Sequence, residues 1–310
     1  MSTSTPVSFI KSTTVRFNPI KLIGAKLRVQ ALFSARAAGE SSADLFCTPL
    51  PGTRERALRA ELDGAELVML ELPEGQVATY RWGGKTEAPL AIFSHGWSSY
   101  GLRAARWARA LIGAGYRVVS FDHLGHGRSA GKRATLPQFA RTLVGVCQAL
   151  GPVDTLIGHS LGGAAVATAL AEGVAARRAI LIAPAADPLM ATERFARALG
   201  LPEHLQHSME AEIGRREGME MTHWQAHRMA PLIGTPALVI HDLEDREVGW
   251  EEGERYARYW PEARLLSTAG LGHHRIVSDH QVIASGLAFL RGVPMGERVV
   301  STQDLPFGTA

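Results

Sequence analysis

Residues 154–167 read DTLIGHSLGGAAVA, and they are the most informative part of the sequence for the fold. Its first half suits the end of a buried strand, and the small residues after Gly162 suit a closely packed helix. Ser160 lies between them, with Gly158 and Gly162 two residues away on either side. This spacing favours a turn too tight for side chains at the glycines, which would raise the serine hydroxyl above a sheet edge. A purely structural glycine turn is the alternative interpretation.

Apolar runs and helical segments alternate on both sides of this turn. Strand-like runs occur at residues 66–72, 76–82, 89–94, 117–121, 155–158, 179–183, 237–240 and 264–267. Helical patterns occupy most of the intervals, near 102–114, 135–150, 161–176, 250–259 and 279–291. Such alternation predicts an α/β protein with a mostly parallel central sheet and helices on both faces.

One interval is much longer than a crossover requires. About fifty residues, 187–236, separate two predicted strands, and their pattern is helical. They include Trp224 and four histidines. Long inserts at the end of a parallel sheet are usually functional, so we predict a helical cap at about 187–235.

A serine nucleophile needs a base and an orienting acid from elsewhere in the chain. The base is expected in GHH at residues 272–274, after the last predicted strand, where His273 is favoured and His274 is the alternative. The acid is expected after the strand at 237–240. Four carboxylates follow that strand within six residues: Asp242, Glu244, Asp245 and Glu247.

An acyl-transfer site also needs two backbone donors for a developing oxyanion. The sequence SHGW at 94–97 ends an early strand, where such a donor would lie. An ordinary strand end is the alternative. Residues 125–130 read GHGRSA, a near match to a dinucleotide-binding fingerprint. We reject that interpretation because no acid occurs between Asp122 and Asp154 to bind a ribose.

Three of these motifs, GHSLGG at 158–163, HG at 95–96 and FDHLGHGRS at 121–129, resemble the α/β-hydrolase superfamily. The chain is most similar to its serine esterases and monoacylglycerol-lipase-like members, over about residues 66–292. In that family the acid lies in His-Gly-x-x-Asp-x-x-Val-Pro, which aligns with Asp245 here. Asp242 and Gly249 replace the family's glycine and proline. The resemblance also implies that the N–H groups of Trp97 and Leu161 form the oxyanion hole.

Together these features predict a serine hydrolase of carboxylic esters. Ser160 would attack the acyl carbonyl, His273 would move the proton and Asp245 would orient the imidazole. The expected partner is a small acyl ester, and no metal or organic cofactor is expected. Thioester cleavage, acyl transfer and a non-catalytic ligand-binding relative remain open alternatives.

Composition places the protein's excess positive charge at one end. The net charge of +3 over 310 residues includes six basic residues and no acid in residues 1–39, which leaves 27 basic against 30 acidic residues in the remainder. A nucleic-acid-binding protein would carry this excess positive charge on its folded core, so this chain is not expected to bind nucleic acid. The two cysteines, Cys47 and Cys147, favour a reducing, cytoplasmic location over a disulfide framework.

Residues 1–65 are predicted to be a basic helical extension of a hydrolase domain at 66–310. Asn18 and Pro19 form a helix start, followed by apolar residues at 20, 23, 27 and 33. Three interpretations of residues 1–39 remain open. In the first, they are a helix that packs on its own domain. In the second, they are a basic amphipathic segment that contacts a membrane, and in the third they are an organellar transit peptide.

Overall fold

The computed structural model describes residues 19–83 and 85–299. The strands are β1 Glu66–Leu72, β2 Gly75–Trp82, β3 Leu90–Ser94, β4 Arg117–Phe121, β5 Val153–His159, β6 Ala176–Ile182, β7 Ala237–Asp242 and β8 Ala263–Thr268. The α-helices are α1 Pro19–Phe33, α2 Ala35–Phe46, α3 Thr53–Arg59, α4 Ala105–Gly113, α5 Leu136–Leu150, α6 Leu161–Ala171, α7 Pro188–Leu199, α8 Glu203–Glu217, α9 Ala226–Met229, α10 Trp250–Tyr259, α11 Gly272–Arg275 and α12 His280–Leu290.

All eight strands join one sheet in the order β1-β2-β4-β3-β5-β6-β7-β8. β2 is antiparallel to both β1 and β4, and every other pair is parallel. The mostly parallel sheet with helices on both faces confirms the predicted fold class. Because parallel strands end at the same edge, the segments after β3, β5, β7 and β8 come together there.

Successive side chains of the central strands enter two separate cores. Leu156 packs with residues of α5, α6 and α10, including Leu143 and Tyr256. Ile157, the next residue, packs on the other face with residues of α4 and α12, including Trp107. Burial on both faces explains why these strands have continuous apolar runs.

The cap consists of α7, α8, a 3-10 turn at Met221–Trp224 and α9. Its base is held by buried charges on α10. Glu252 is fully buried, accepts a hydrogen bond from the Ala186 N–H at 2.9 Å and pairs with Arg194 at 2.7 Å. Asp187, which caps α7, pairs with Arg255 of α10 at 3.4 Å. These pairs tie the insert to the sheet domain because each buried carboxylate depends on a partner across the junction.

The N-terminal helices lie against this cap. α1 extends from Pro19, the first residue that the structure describes, to Phe33, and Asn18 of the predicted helix start lies outside the described residues. α2 packs closely on α8, since a Cβ at Gly39 would lie 2.8 Å from Ser208 Cβ. Among residues 19–83 and 85–299, no helix is both long and apolar enough to cross a membrane.

Candidate active site

Ser160 occupies a strained turn between β5 and α6. Its φ of 54° and ψ of −123° lie where L-residues rarely occur. A Cβ at Gly158 would lie 2.4 Å from the Gly162 carbonyl oxygen, and one at Gly162 would lie 2.3 Å from the Ser94 carbonyl oxygen. Both glycines are therefore required by close backbone contacts. Strain held at a single residue in this way is typical of functional sites.

His273 and Asp245 come together at the same edge of the sheet. His273 Nδ1 lies 2.7 Å from Asp245 Oδ2, and both side chains are buried. Asp245 Oδ1 accepts hydrogen bonds from the N–H groups of Glu247 at 2.9 Å and Val248 at 3.0 Å. His273 was expected in a loop and instead lies in the short helix α11.

The alternative base and acids have other partners. His274 is two-thirds exposed and pairs with Glu247 at 2.7 Å, away from Asp245. Asp242 Oδ2 accepts hydrogen bonds from Thr268 Oγ1 at 2.7 Å and from the Leu271 N–H at 3.0 Å. Asp242 thus fixes the segment that leads into α11. Asp245 is the carboxylate that contacts an imidazole of that segment.

A second imidazole faces the same carboxylate. His241 is fully buried at the end of β7, and its Nε2 lies 2.9 Å from the Val248 carbonyl oxygen and 3.5 Å from Asp245 Oδ2. Burial alone would raise the pKa of Asp245, but hydrogen bonds from His241 and His273 hold that pKa far below its usual value. Asp245 is therefore ionised at neutral pH. The sequence analysis predicted no role for His241, although a histidine at the end of a predicted strand could have indicated one.

His159, the residue before the serine, connects the turn to α11. Its Nε2 donates to the His273 carbonyl oxygen at 2.9 Å, and the two rings lie 4.8 Å apart. Because burial lowers the pKa of His159 well below its usual value, this ring is neutral. His159 therefore holds the backbone of His273 in place.

The link between Ser160 and His273 is not formed in this structure. Ser160 Oγ makes no hydrogen bond to any residue of the described ranges. The two residues are instead connected through His159. In unliganded sites, bonds of this kind are often long and shorten only when substrate binds.

The segment after β3 closes the other side of the turn. A Cβ at Gly96 would lie 2.9 Å from Ser160 Cβ, so only glycine fits there without movement. The next N–H belongs to Trp97, and the N–H after the serine belongs to Leu161. Within the described chain, neither N–H donates to an acceptor. Both donors remain available for an oxyanion beside Ser160, and their use as an oxyanion hole remains a prediction.

The third motif, at 121–129, supports this loop from behind. Asp122 is buried and accepts hydrogen bonds from Tyr80 Oη and from the Gly101 N–H, each at 2.7 Å. A Cβ at Gly127 would lie 2.0 Å from Asp122 Oδ2. Gly127, one of the glycines that imitate a dinucleotide fingerprint, therefore makes room for a carboxylate of the same loop.

Known proteins are similar to this chain in sequence. A family model described as serine aminopeptidase, S33, matches residues 86–228, which include Ser160. A non-heme chloroperoxidase of Streptomyces lividans is 32% identical over 265 residues, spanning 68% of this chain and 94% of that protein. The chain belongs to the α/β-hydrolase superfamily. A monoacylglycerol lipase of Mycolicibacterium smegmatis is 35% identical to this hydrolase over the aligned region. That region covers 25% of this chain and 30% of the lipase.

The fold of the hydrolase also matches solved structures. Alpha/beta hydrolase domain-containing protein 10 from mouse superposes with a TM-score of 0.58 and 23% identity, covering 74% of this chain and 98% of that one. This likeness concerns the fold. The chain spans less than half the length of the first curated relatives that it matches.

Apolar side chains surround the nucleophile turn of this hydrolase. Trp224 of the cap packs in one cluster with Leu136 and Phe139, against which Trp97 and Leu161 also lie. Ser160 itself is only 8% exposed. An acyl chain entering here would meet aromatic and aliphatic surface, which suits an apolar ligand.

Within residues 19–83 and 85–299, no group of three histidine, cysteine or acidic side chains is placed to hold a metal ion. His223 and His227, four apart in the cap, contact aromatic rings. His223 lies edge-on to Trp224, and His227 lies 6.0 Å from Tyr259.

Three buried histidines, one in the segment after β3 and two in the motif at 121–129, predict an acid-sensitive fold. His95 Nε2 accepts from the His123 N–H at 3.0 Å, and His126 Nε2 accepts from the Ser98 N–H at 3.1 Å. His123 stacks on Phe139 at 3.7 Å between ring centroids. Burial lowers the pKa of His95 to about 4 and that of His126 to about 3, and it lowers the pKa of His123 well below its usual value.

A folded-state pKa below the unfolded value of about 6.5 means that the unfolded chain binds protons first. The free energy of unfolding is then fully retained above about pH 6.5 and decreases as the pH falls towards 4, by about 1.4 kcal/mol per pH unit for each histidine. Urea unfolding across this range measures the slope. His126→Gln should reduce this slope by the contribution of one proton, and His280→Gln, which changes a side chain that is 87% exposed, is the surface control. A free energy independent of pH would contradict the prediction.

Proposed function

We propose that this α/β hydrolase cleaves carboxylic esters by way of an acyl-enzyme. Ser160 is the nucleophile, His273 the base and Asp245 the acid. The observation that carries the proposal is the 2.7 Å bond between His273 Nδ1 and Asp245 Oδ2, at the same sheet edge as the strained serine. A serine hydroxyl becomes a competent nucleophile only when an oriented base can accept its proton.

The proposed reaction uses these three residues in turn. His273 Nε2 takes the Ser160 proton as Oγ attacks the acyl carbonyl, and the N–H groups of Trp97 and Leu161 stabilise the negative charge on the carbonyl oxygen. The imidazolium then gives its proton to the departing alcohol. Water, deprotonated by the same imidazole, releases the acid and restores the hydroxyl. Asp245 stabilises the imidazolium without taking its proton.

The names of relatives support an ester substrate. They include a monoacylglycerol lipase of Mycolicibacterium smegmatis and a bifunctional esterase/perhydrolase of Acinetobacter calcoaceticus. The apolar cluster around Trp224 and Trp97 supports an acyl group as the part of the substrate that is bound. We therefore propose small acyl esters as the substrate class. A cytoplasmic location remains a prediction that cell fractionation can test, and both cysteines are free, as a reducing compartment leaves them.

A labelling experiment tests the proposal. A fluorophosphonate is expected to label Ser160 covalently, and a series of nitrophenyl esters and monoacylglycerols should be hydrolysed with a preference among acyl lengths. Ser98→Ala is a matched control, because that serine lies in the segment after β3 and its Oγ accepts a hydrogen bond from the Leu50 N–H at 2.9 Å. Labelling of a different residue, or no ester turnover, would contradict the proposal. Transfer to an added alcohol or thiol faster than hydrolysis would favour an acyltransferase.

A further inference from the structure

Helix α1 has apolar residues on two opposite faces. Gly24 and Leu27 face the protein and are buried. On the opposite side Leu22, Val29 and Phe33 are exposed, with Phe33 at 87%. Leu32, beside them, is 83% exposed. A helix that only packed on its own domain would need one apolar face, so the outward face requires a separate explanation.

The inward face fixes α1 on the cap. A Cβ at Gly24 would lie 1.8 Å from the Leu199 carbonyl oxygen, so the two backbones are in direct contact. Arg28 Nη1 donates to the Gly200 carbonyl oxygen at 2.8 Å, which satisfies a carbonyl at the end of α7. Whatever binds the outward face of α1 is therefore attached to a helix of the cap.

The outward residues form one continuous stripe. Leu22, Lys26, Val29 and Phe33 follow the spacing of four, three and four residues that places side chains on one side of a helix. No residue of the described ranges covers this stripe. Exposed apolar surface bordered by polar groups generally marks a contact with another partner.

The charges around the stripe identify the kind of partner. Lys26 lies within the stripe and Lys21 beside it, and within the described chain neither forms an ion pair. Residues 1–39 contain six basic residues and no acid. A second copy of the chain would be a poor occupant, because a two-fold interface through this stripe would gather the unpaired lysines of both copies in one patch. An anionic surface complements them.

We infer that the outward face of α1 binds the surface of an anionic lipid bilayer. The helix would lie in the plane of the interface, with Leu22, Val29 and Phe33 inserted at the acyl boundary and the lysines among the headgroups. Because α1 is fixed to α7, binding holds the cap against the bilayer. Ester lipids dissolved in that bilayer are then the favoured substrates, an extension that rests on the proposed function.

Vesicle co-sedimentation tests the contact. The full chain should bind vesicles of phosphatidylcholine and phosphatidylglycerol in equal parts. The combined change Leu22→Ser, Val29→Ser and Phe33→Ser should weaken binding at least about tenfold, because three apolar side chains no longer insert. Lys21→Glu with Lys26→Glu should also weaken it at least about tenfold. High salt should weaken binding by the wild type, since it screens the attraction.

Matched controls lie elsewhere on the surface. Leu232→Ser removes an exposed leucine near the end of the insert at 187–236. Lys132→Glu reverses the charge of an exposed side chain in the loop before α5. Both should bind as the wild type does. Circular dichroism and thermal melts confirm that each variant is folded. The outward side chains are mostly exposed, so the α1 substitutions should leave the protein folded, with a melting temperature close to that of the wild type.

Three outcomes would overturn the inference. The first is unchanged vesicle binding by the apolar triple variant. The second is equal binding to pure phosphatidylcholine, which would remove the role of charge. The third is a dimer in sedimentation that the α1 substitutions dissociate, while the wild type ignores vesicles, because a second copy would then cover the stripe.

An activity measurement separates this inference from the proposed function. The α1 variants should hydrolyse soluble nitrophenyl acetate at the wild-type rate and lose about tenfold on monoacylglycerol held in anionic vesicles. Ser160→Ala should hydrolyse neither substrate and still bind vesicles. If Ser160→Ala binds vesicles and also retains activity, the proposed function fails while the bilayer contact stands. If the α1 variants keep full activity on vesicle-held substrate, the coupling to the cap fails.

Discussion

Ser160→Ala is expected to reduce ester turnover by about 10⁴–10⁶-fold, because no other group near His273 can form the acyl intermediate. Alanine keeps a Cβ at the same position and therefore the same backbone strain. Ser160 Oγ makes no hydrogen bond within the described chain, so its loss should leave the free energy of unfolding nearly unchanged. Initial rates with a short nitrophenyl ester, compared with a denaturation curve, measure both quantities.

The Ser160→Cys variant is the matched comparison for Ser160→Ala. Ser160→Cys keeps a nucleophile on the same strained turn, so it should retain slow acylation and should still be labelled by reactive acyl donors. Retention of more than about a tenth of the wild-type rate by the alanine variant would contradict a mechanism through Ser160. The attack would then have to come from water activated by His273 alone.

The nucleophile turn could be predicted because its requirements are local. Gly158 and Gly162 lie within four residues of each other, and the contacts that exclude side chains there come from the same turn and the end of β3. A spacing rule in the sequence therefore captures the structure. The same is true of the central strands, whose continuous apolar runs follow from burial on both faces.

The contacts of His159 and His241 could not be predicted in the same way. His159 donates to the carbonyl of a residue 114 positions later, and His241 faces a carboxylate whose position depends on how the loop after β7 bends. Neither distance is a function of spacing along the chain. The choice between Asp242 and Asp245 was open from the residues alone for the same reason, and only the resemblance favoured one.

Helix α1 illustrates a third limit. The sequence predicts a helix through residues 20–33, and the structure has a helix over Pro19–Phe33. Its apolar residues, however, lie on nearly every side, so the sequence could not tell which face packs. The structure resolves this because only glycine at position 24 permits contact with the Leu199 carbonyl. The opposite face is thereby left outward.

Asp245→Asn is expected to reduce turnover by about 10⁴-fold in a folded protein. The asparagine oxygen can still accept from the N–H groups of Glu247 and Val248, so the loop keeps its shape. Its amide would face His273 Nδ1 with a donor, which favours the wrong imidazole tautomer. The negative charge that stabilises the imidazolium is also lost. Steady-state kinetics with a nitrophenyl ester measure the effect.

Asp242→Asn and Glu244→Gln are the matched controls, and each should retain at least about a tenth of the wild-type rate. Asp242 accepts from Thr268 and the Leu271 N–H, so its amide loses one of these bonds and should lower the free energy of unfolding by about 1–3 kcal/mol. Rates must therefore be measured well below each variant's melting temperature. If folded Asp242→Asn is inactive while Asp245→Asn turns over normally, the imidazole takes its orientation from the strand end, and the 2.7 Å contact of His273 with Asp245 is not the catalytic one.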